Sequence, residues 1–251
     1  LERFAYVVAH DLKEPLRMVD GYIQLARRRA SDELPDETDE FLAFAQQGAE
    51  RMQTLIHDIL RYSTAARGQA GTDATSADEA VEDVLTDLAA TIQARGAEVI
   101  HEGLPYVECN ARQLRQLFAN LIGNAVRYAD RPDPEVRIWA TRHGDMIHFV
   151  VADNGPGIEP EDRERIFEPF QKLDRGAGDG GSGLGMAICQ RIVERHGGRI
   201  WVEERSVPGA RIHFELPAAP RAVPPPVASS EPSQEEATPD AERSADTARS
   251  A

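Results

Sequence analysis

Four short stretches of this sequence carry side chains whose types and spacing suit chemistry. The first is Ala9-His10-Asp11-Leu12-Lys13-Glu14-Pro15-Leu16. His10 is two residues from Val8 and two from Leu12, so on a helix it turns away from their apolar line. A carboxylate such as Asp11 that accepts the ring Nδ1–H fixes the tautomer and leaves Nε2 a lone pair for attack. The second stretch runs from Asn120 through Asn124 to Arg127 and Tyr128. Asn120 and Asn124 share a helix face, and their side-chain carbonyl oxygens suit a hard cation such as Mg²⁺. Arg127, one turn on, offers a charged fork to phosphate. The third is Asp153-Asn154-Gly155-Pro156-Gly157-Ile158. Its glycines allow close backbone approach to a ligand, and Asp153 can accept a hydrogen bond from an exocyclic amine. The fourth is Gly180-Gly181-Ser182-Gly183-Leu184-Gly185, where a helix N-terminus would cradle phosphate. Each has a plainer alternative: a surface histidine, a polar helix face, a Gly/Pro turn, a loop.

The elements that must position these groups follow from periodicity. Ala5, Val8, Leu12, Pro15, Val19, Tyr22 and Ala26 alternate steps of three and four. So do Phe41, Ala45, Gly48, Met52, Leu55, Ile59 and Tyr62. This heptad spacing predicts two long helices over residues 1–66, with a turn at Ser31–Glu37. Such a hairpin leaves an apolar seam exposed, so it is expected to dimerise into a four-helix bundle. Residues 67–75 read as a small-residue linker and 76–217 as a second domain. Ser76 with Glu79 resembles a capping box, and Asn110 suits the cap of a helix bearing Leu114, Leu117, Leu121 and Ile122. Strands are predicted near 97–101, 106–109, 136–141, 146–152, 199–204 and 210–216, and a helix over 184–197 ending at Gly197-Gly198. The overall class is α+β: a helical hairpin, then an α/β two-layer sandwich with a mixed sheet. Residues 218–251 contain Pro224-Pro225-Pro226 and no aromatic, the composition of a disordered tail.

Composition narrows the function. The chain has 251 residues, of which 41% are hydrophobic, and 28 Lys+Arg stand against 43 Asp+Glu. A net charge of -15 argues against nucleic-acid or anionic-membrane binding, while a local basic pocket remains allowed. Cys109 and Cys189 form no disulfide framework, which fits a reducing compartment. No apolar run reaches the length of a spanning helix, so no direct membrane contact is expected and the expected location is cytoplasmic. With no initiator Met, the chain reads as an internal piece of a longer polypeptide.

Taken in order together with a fifth, Ile166–Phe170, the stretches resemble the sensor histidine kinases of two-component signalling. His10-Asp11-Leu12 with Pro15-Leu16 is similar to the family's H box, Asn120–Tyr128 to its N box, and Asp153-x-Gly155-x-Gly157 to its G1 box. Ile166-Phe167-Glu168-Pro169-Phe170 is similar to the F box, and Gly181–Gly185 to the G2 box. The likeness covers about 1–217, and the wording around His10 and Ala49-Glu50-Arg51-Met52 resembles the phytochrome-type subset. The resemblance implies a Bergerat (GHKL-like) ATP site in which Asp153 recognises adenine. It implies that Asn124, helped by Asn120, holds Mg²⁺, and that Arg127 contacts phosphate. Gly183 would open the helix that binds the phosphate chain, and Phe167 and Phe170 would anchor a lid. Tyr128, Gly155, Gly157, Ile158, Lys172, Gly181, Ser182, Leu184 and Gly185 complete the implied ATP-binding set. His10 would attack the γ-phosphorus with Asp11 orienting its ring. A response regulator's receiver domain, docking near 17–30 and 42–55, would then take the phosphoryl group.

Two positions depart from the family's pattern. Glu14 stands where many members have Thr or Asn, which predicts weak phosphatase activity. Arg127 stands where Lys is usual. Related hydrolases of the same nucleotide fold carry a Glu base where this chain has Asn120, so phosphoryl transfer is favoured over hydrolysis. A non-catalytic dimeric scaffold is the other alternative.

Overall fold

In the computed structural model, residues 2–29, 35–65, 74–172, 181–204 and 209–220 are described, with side chains except those of 2–11, 29, 36 and 65. Two long helices form first, α1 (Glu2–Arg29) and α2 (Asp36–Ala65). α1 runs continuously through Pro15. The two pack antiparallel, with Arg27 forking onto Asp39 at 2.8 and 3.0 Å and reaching Gln46 at 3.3 Å. Ala49 and Ile56, seven apart on α2, are buried. The expected seam is displaced from this line: Leu12, Val19 and Tyr22 of α1 and Phe41 and Met52 of α2 are exposed. One face of the hairpin thus closes within the chain, and the predicted face stays open.

The α/β region begins with β1 (Ala74–Ser76), then α3 (Ala77–Arg95), β2 (Glu98–His101), β3 (Tyr106–Glu108) and α4 (Ala111–Arg127). β4 (Glu135–His143) and β5 (Met146–Asp153) follow, then short 3₁₀ turns at Pro160–Asp162 and Arg165–Phe167. α5 (Gly185–Arg195), β6 (Ile200–Val202) and β7 (Arg211–Pro217) complete it. Both expected caps form: Ser76 accepts from the Glu79 amide and Asn110 from the Gln113 amide, each at 3.2 Å. These satisfy orphan N–H groups that a helix start cannot pair itself. α5 stops as expected, with Gly197 at φ 75° just past its end.

The main sheet has the order β2-β4-β5-β7-β6, with β2 parallel to β4 and the other pairs antiparallel. It is the mixed sheet that the sequence predicts. Ile212, Phe214 and Leu216 of β7 and Ile147, Phe149 and Val151 of β5 are buried, showing the period of two. Phe118 of α4 meets Phe149 and Phe214 edge-on, at 5.9 and 5.8 Å, while those two stack at 4.8 Å. That aromatic group fixes α4 against the sheet, and so fixes the opposite, polar face of α4.

Two details differ from the sequence reading. Residues 74–76, placed partly in the linker, pair antiparallel with β3, which lies outside the main sheet. The start of the expected tail is also structured: Ala218 bridges Val107 and donates to the Asp145 carbonyl, and Ala219 is buried. Both follow from partners distant in sequence. The remainder of the linker, the hairpin turn at 30–34 and the tail from 221 lie outside the described residues. Among the described residues no helix is long and apolar enough to cross a membrane.

Candidate active site

α4 is amphipathic. Leu114, Leu117, Phe118, Leu121 and Ile122 enter the core, which leaves Asn120, Asn124 and Arg127 facing the start of α5. Asn120 Nδ2 donates to the Gly185 carbonyl at 3.1 Å. Asn124 Nδ2 lies 3.9 Å from where a β-carbon on Gly185 would sit. At the end of α4, Arg127 and Tyr128 reach across to Gly181, whose β-carbon would lie 3.2 Å from Arg127 Nη1. Beneath this layer the buried Cys189 thiol is pushed up to about 12 by desolvation, so it is inert.

The β5 end supplies Asp153. Its Oδ1 accepts from the Gly155 amide at 2.9 Å and the Ala210 amide at 3.0 Å. Asn154 ties β4 to this turn, accepting from the Glu135 amide at 2.9 Å and donating to the Asp133 carbonyl at 2.8 Å. Sequence reasoning gave Asn154 no role; its part is to hold the turn. Across from it, the Phe170 amide donates to the Gly183 carbonyl at 3.0 Å, and both residues have positive φ. A β-carbon on Gly183 would stand 2.7 Å from the Gln171 carbonyl oxygen, so only glycine fits. Ser182 Oγ accepts from the Leu184 amide at 3.2 Å and steadies the loop before α5.

These parts enclose a cavity of about 350 Å³. Asn120, Asn124, Arg127, Tyr128, Asp153, Gly157, Ile158, Lys172, Gly181, Ser182, Gly183 and Gly185 all line it. The size suits a small-molecule ligand. Four expected residues are placed otherwise. Gly155 braces Asp153, Leu184 is buried, Phe167 packs in the core, and Phe170 is exposed. The side chains of His10 and Asp11 and the segment 173–180 lie outside the described residues. Among the lining residues outside the predicted set, Thr54, Asp58 and Arg61 come from α2, an element not expected at this site. Their spacing of four and three puts them on one polar helix stripe, a signal too common to single out.

The fold and the site define a nucleotide-type pocket in an α/β sandwich joined to a helical hairpin, and comparison with known proteins agrees. Residues 109–220 match the family model of histidine kinase-, DNA gyrase B- and HSP90-like ATPases, and residues 1–68 match the His kinase A (phospho-acceptor) domain. Cyanobacterial phytochrome A of Nostoc sp. is 42% identical over 221 residues, covering 88% of this chain and 29% of that protein. Phytochrome-like protein Cph1 of Synechocystis sp. is 40% identical over 217 residues, covering 86% and 29%. Full-length ShkA, solved in complex with AMPPNP, superposes with a TM-score of 0.67 at 25% identity, over 87% of this chain and 46% of that one. The chain belongs to the sensor histidine kinases, and within them to the phytochrome-type subset. It spans 29% of the length of those two curated relatives.

Proposed function

We propose that this chain is the kinase core of a two-component system, phosphorylating His10 from ATP and passing the phosphoryl group to an aspartate of a receiver domain. One observation carries the reading. The asparagine face of α4, Asp153 and the glycine turn before α5 converge on one cavity, in a chain whose first 68 residues match a phospho-acceptor domain. In this reading 1–66 is the phosphotransfer hairpin and 76–217 the catalytic unit.

Adenine enters against Asp153, whose carboxylate is fixed by two amides and accepts the exocyclic amine. The phosphates lie along the start of α5, with Arg127 and Lys172 as cations. The residues fit Mg²⁺: Asn124 would hold it through its side-chain oxygen, and Asn120, whose Nδ2 is committed to Gly185, offers its own oxygen. That ion would neutralise charge on the phosphate oxygens. Neutral His10 attacks in line through Nε2 while Asp11 holds Nδ1–H. The Nε2–P bond forms, the bond from the γ-phosphorus to its bridging oxygen breaks, and ADP leaves. The pair of hairpins in a dimer would cover Leu12, Val19, Tyr22, Phe41 and Met52, which are exposed in the single chain. We place the reaction in the cytoplasm, where ATP and receiver domains meet.

The test is incubation with γ-labelled ATP and Mg²⁺. Acid-labile label is expected on the wild type and not on His10→Gln. Label retained by His10→Gln would move the acceptor to another residue, and fast ATP hydrolysis independent of His10 would replace this reading with the hydrolase one.

A further inference from the structure

We infer that the hairpin completes the nucleotide site, with Arg61 of α2 serving as a phosphate-contacting residue for ATP. The inference rests on the reading of the cavity as an ATP site and adds a residue from a different element.

Three cations line the cavity: Arg127 from α4, Lys172 from the segment after the 3₁₀ turns, and Arg61 from α2. Several arginines elsewhere in this acidic chain are held by carboxylates, as Arg27 by Asp39, Arg115 by Asp87, Arg137 by Glu135 and Arg199 by Glu215. None of the three cavity cations forms an ion pair or hydrogen bond with a described residue. Asp58, one turn before Arg61, is the acidic group on the same wall, and it lies beyond ion-pair distance of Arg61. The lining carries three cations against two carboxylates, Asp58 and Asp153, so the cavity is net positive and suits a polyanion.

Arg61 reaches this wall because its neighbour is anchored. Arg191 of α5 donates to the Tyr62 carbonyl at 3.2 Å and lays its guanidinium 4.2 Å from the Tyr62 ring centre. Ser63 is buried and Ile59 packs against the core. α5 therefore carries the phosphate-facing Gly185 at its start and the α2 anchor less than two turns later. Triphosphate binding and hairpin docking become linked: each favours the other by the same factor.

The test is calorimetric titration of the full chain with a non-hydrolysable ATP analogue plus Mg²⁺, and separately with adenosine. Arg61→Ala should weaken the triphosphate about tenfold, the loss of one charge-assisted contact, and leave adenosine affinity unchanged. Arg61→Glu should lose more and Arg61→Lys less. Arg191→Ala should weaken the triphosphate too, and the double variant should be no weaker than the poorer single one. Equal triphosphate affinity in wild type and Arg61→Ala overturns the inference. So does a parallel loss for adenosine, which would mark general damage. Failure of the wild type to bind any nucleotide overturns the ATP reading itself, and is seen before any variant is compared.

Discussion

Gly209 sits with φ 91° against the backbone carbonyl of Asp153, in a space where a β-carbon cannot stand. Its neighbour Ala210 donates to the Asp153 carboxylate at 3.0 Å. Gly209→Ala should push the end of β5 away and misplace the Asp153 carboxylate, the group proposed to read adenine. The expected cost is about 2 kcal/mol or more, a drop in Tm of roughly 5 °C by differential scanning calorimetry. Adenosine affinity should fall at the same time. A Tm change without an affinity change would separate Asp153's position from the Gly209 contact. The two cysteines give a second expectation. Burial pushes both Cys109 and Cys189 up to about 12, so neither should react with a thiol reagent at pH 8 until the protein is unfolded. At this scale most of the site was legible. Asn120, Asn124, Asp153 and Gly183 announce themselves because the roles proposed for them need particular side chains, or none, at fixed local spacing. Arg61 does not, since nothing within ten residues marks which face of α2 will meet another element.

Among elements, local rules succeeded and distant pairing escaped. The caps at Ser76 and Asn110 involve partners three residues away, so the sequence displays them. β1 is three residues long and pairs with a strand some thirty residues on, which no periodicity reveals. The hairpin seam is an intermediate case. The heptads were visible, but which face closes within the chain depends on the α1–α2 register set around Arg27. Because Tyr22 and Phe41 remain exposed, the proposed dimer predicts that in sedimentation velocity the wild type should run as a dimer and a Tyr22→Glu/Phe41→Glu variant as a monomer. Unchanged mass would move the dimer contact elsewhere. On the sheet, His148 Nε2 and His213 Nδ1 lie 2.9 Å apart, stacked with Trp201. Burial lowers both below the ordinary value of 6.5. Below that pH the unfolded chain takes up protons that these two folded rings refuse, so stability falls as pH drops. A His148→Gln/His213→Gln variant should show a flatter melting temperature between pH 7 and 5 than the wild type.

At the scale of the whole molecule, the docking of α2 on α5 decides whether hairpin and sandwich behave as one body. The Arg191–Tyr62 contact combines a hydrogen bond with a cation–π pair worth roughly 1 kcal/mol. Tyr62→Ala should broaden or split a single calorimetric transition, and saturating ATP should restore it by favouring the docked form. One transition unchanged by the substitution would place the coupling in the apolar contacts of Ile59.

The stitch that Ala218 and Ala219 make to Val107 and Tyr106 also bears on engineering. Anyone exchanging the input or output modules of such signalling enzymes must choose a splice point. A junction at Pro217, where the last strand ends, would sever the thread that closes the small two-stranded flap; a junction after Pro220 keeps it. Chimaeras cut at the later position should melt higher than those cut at the earlier one.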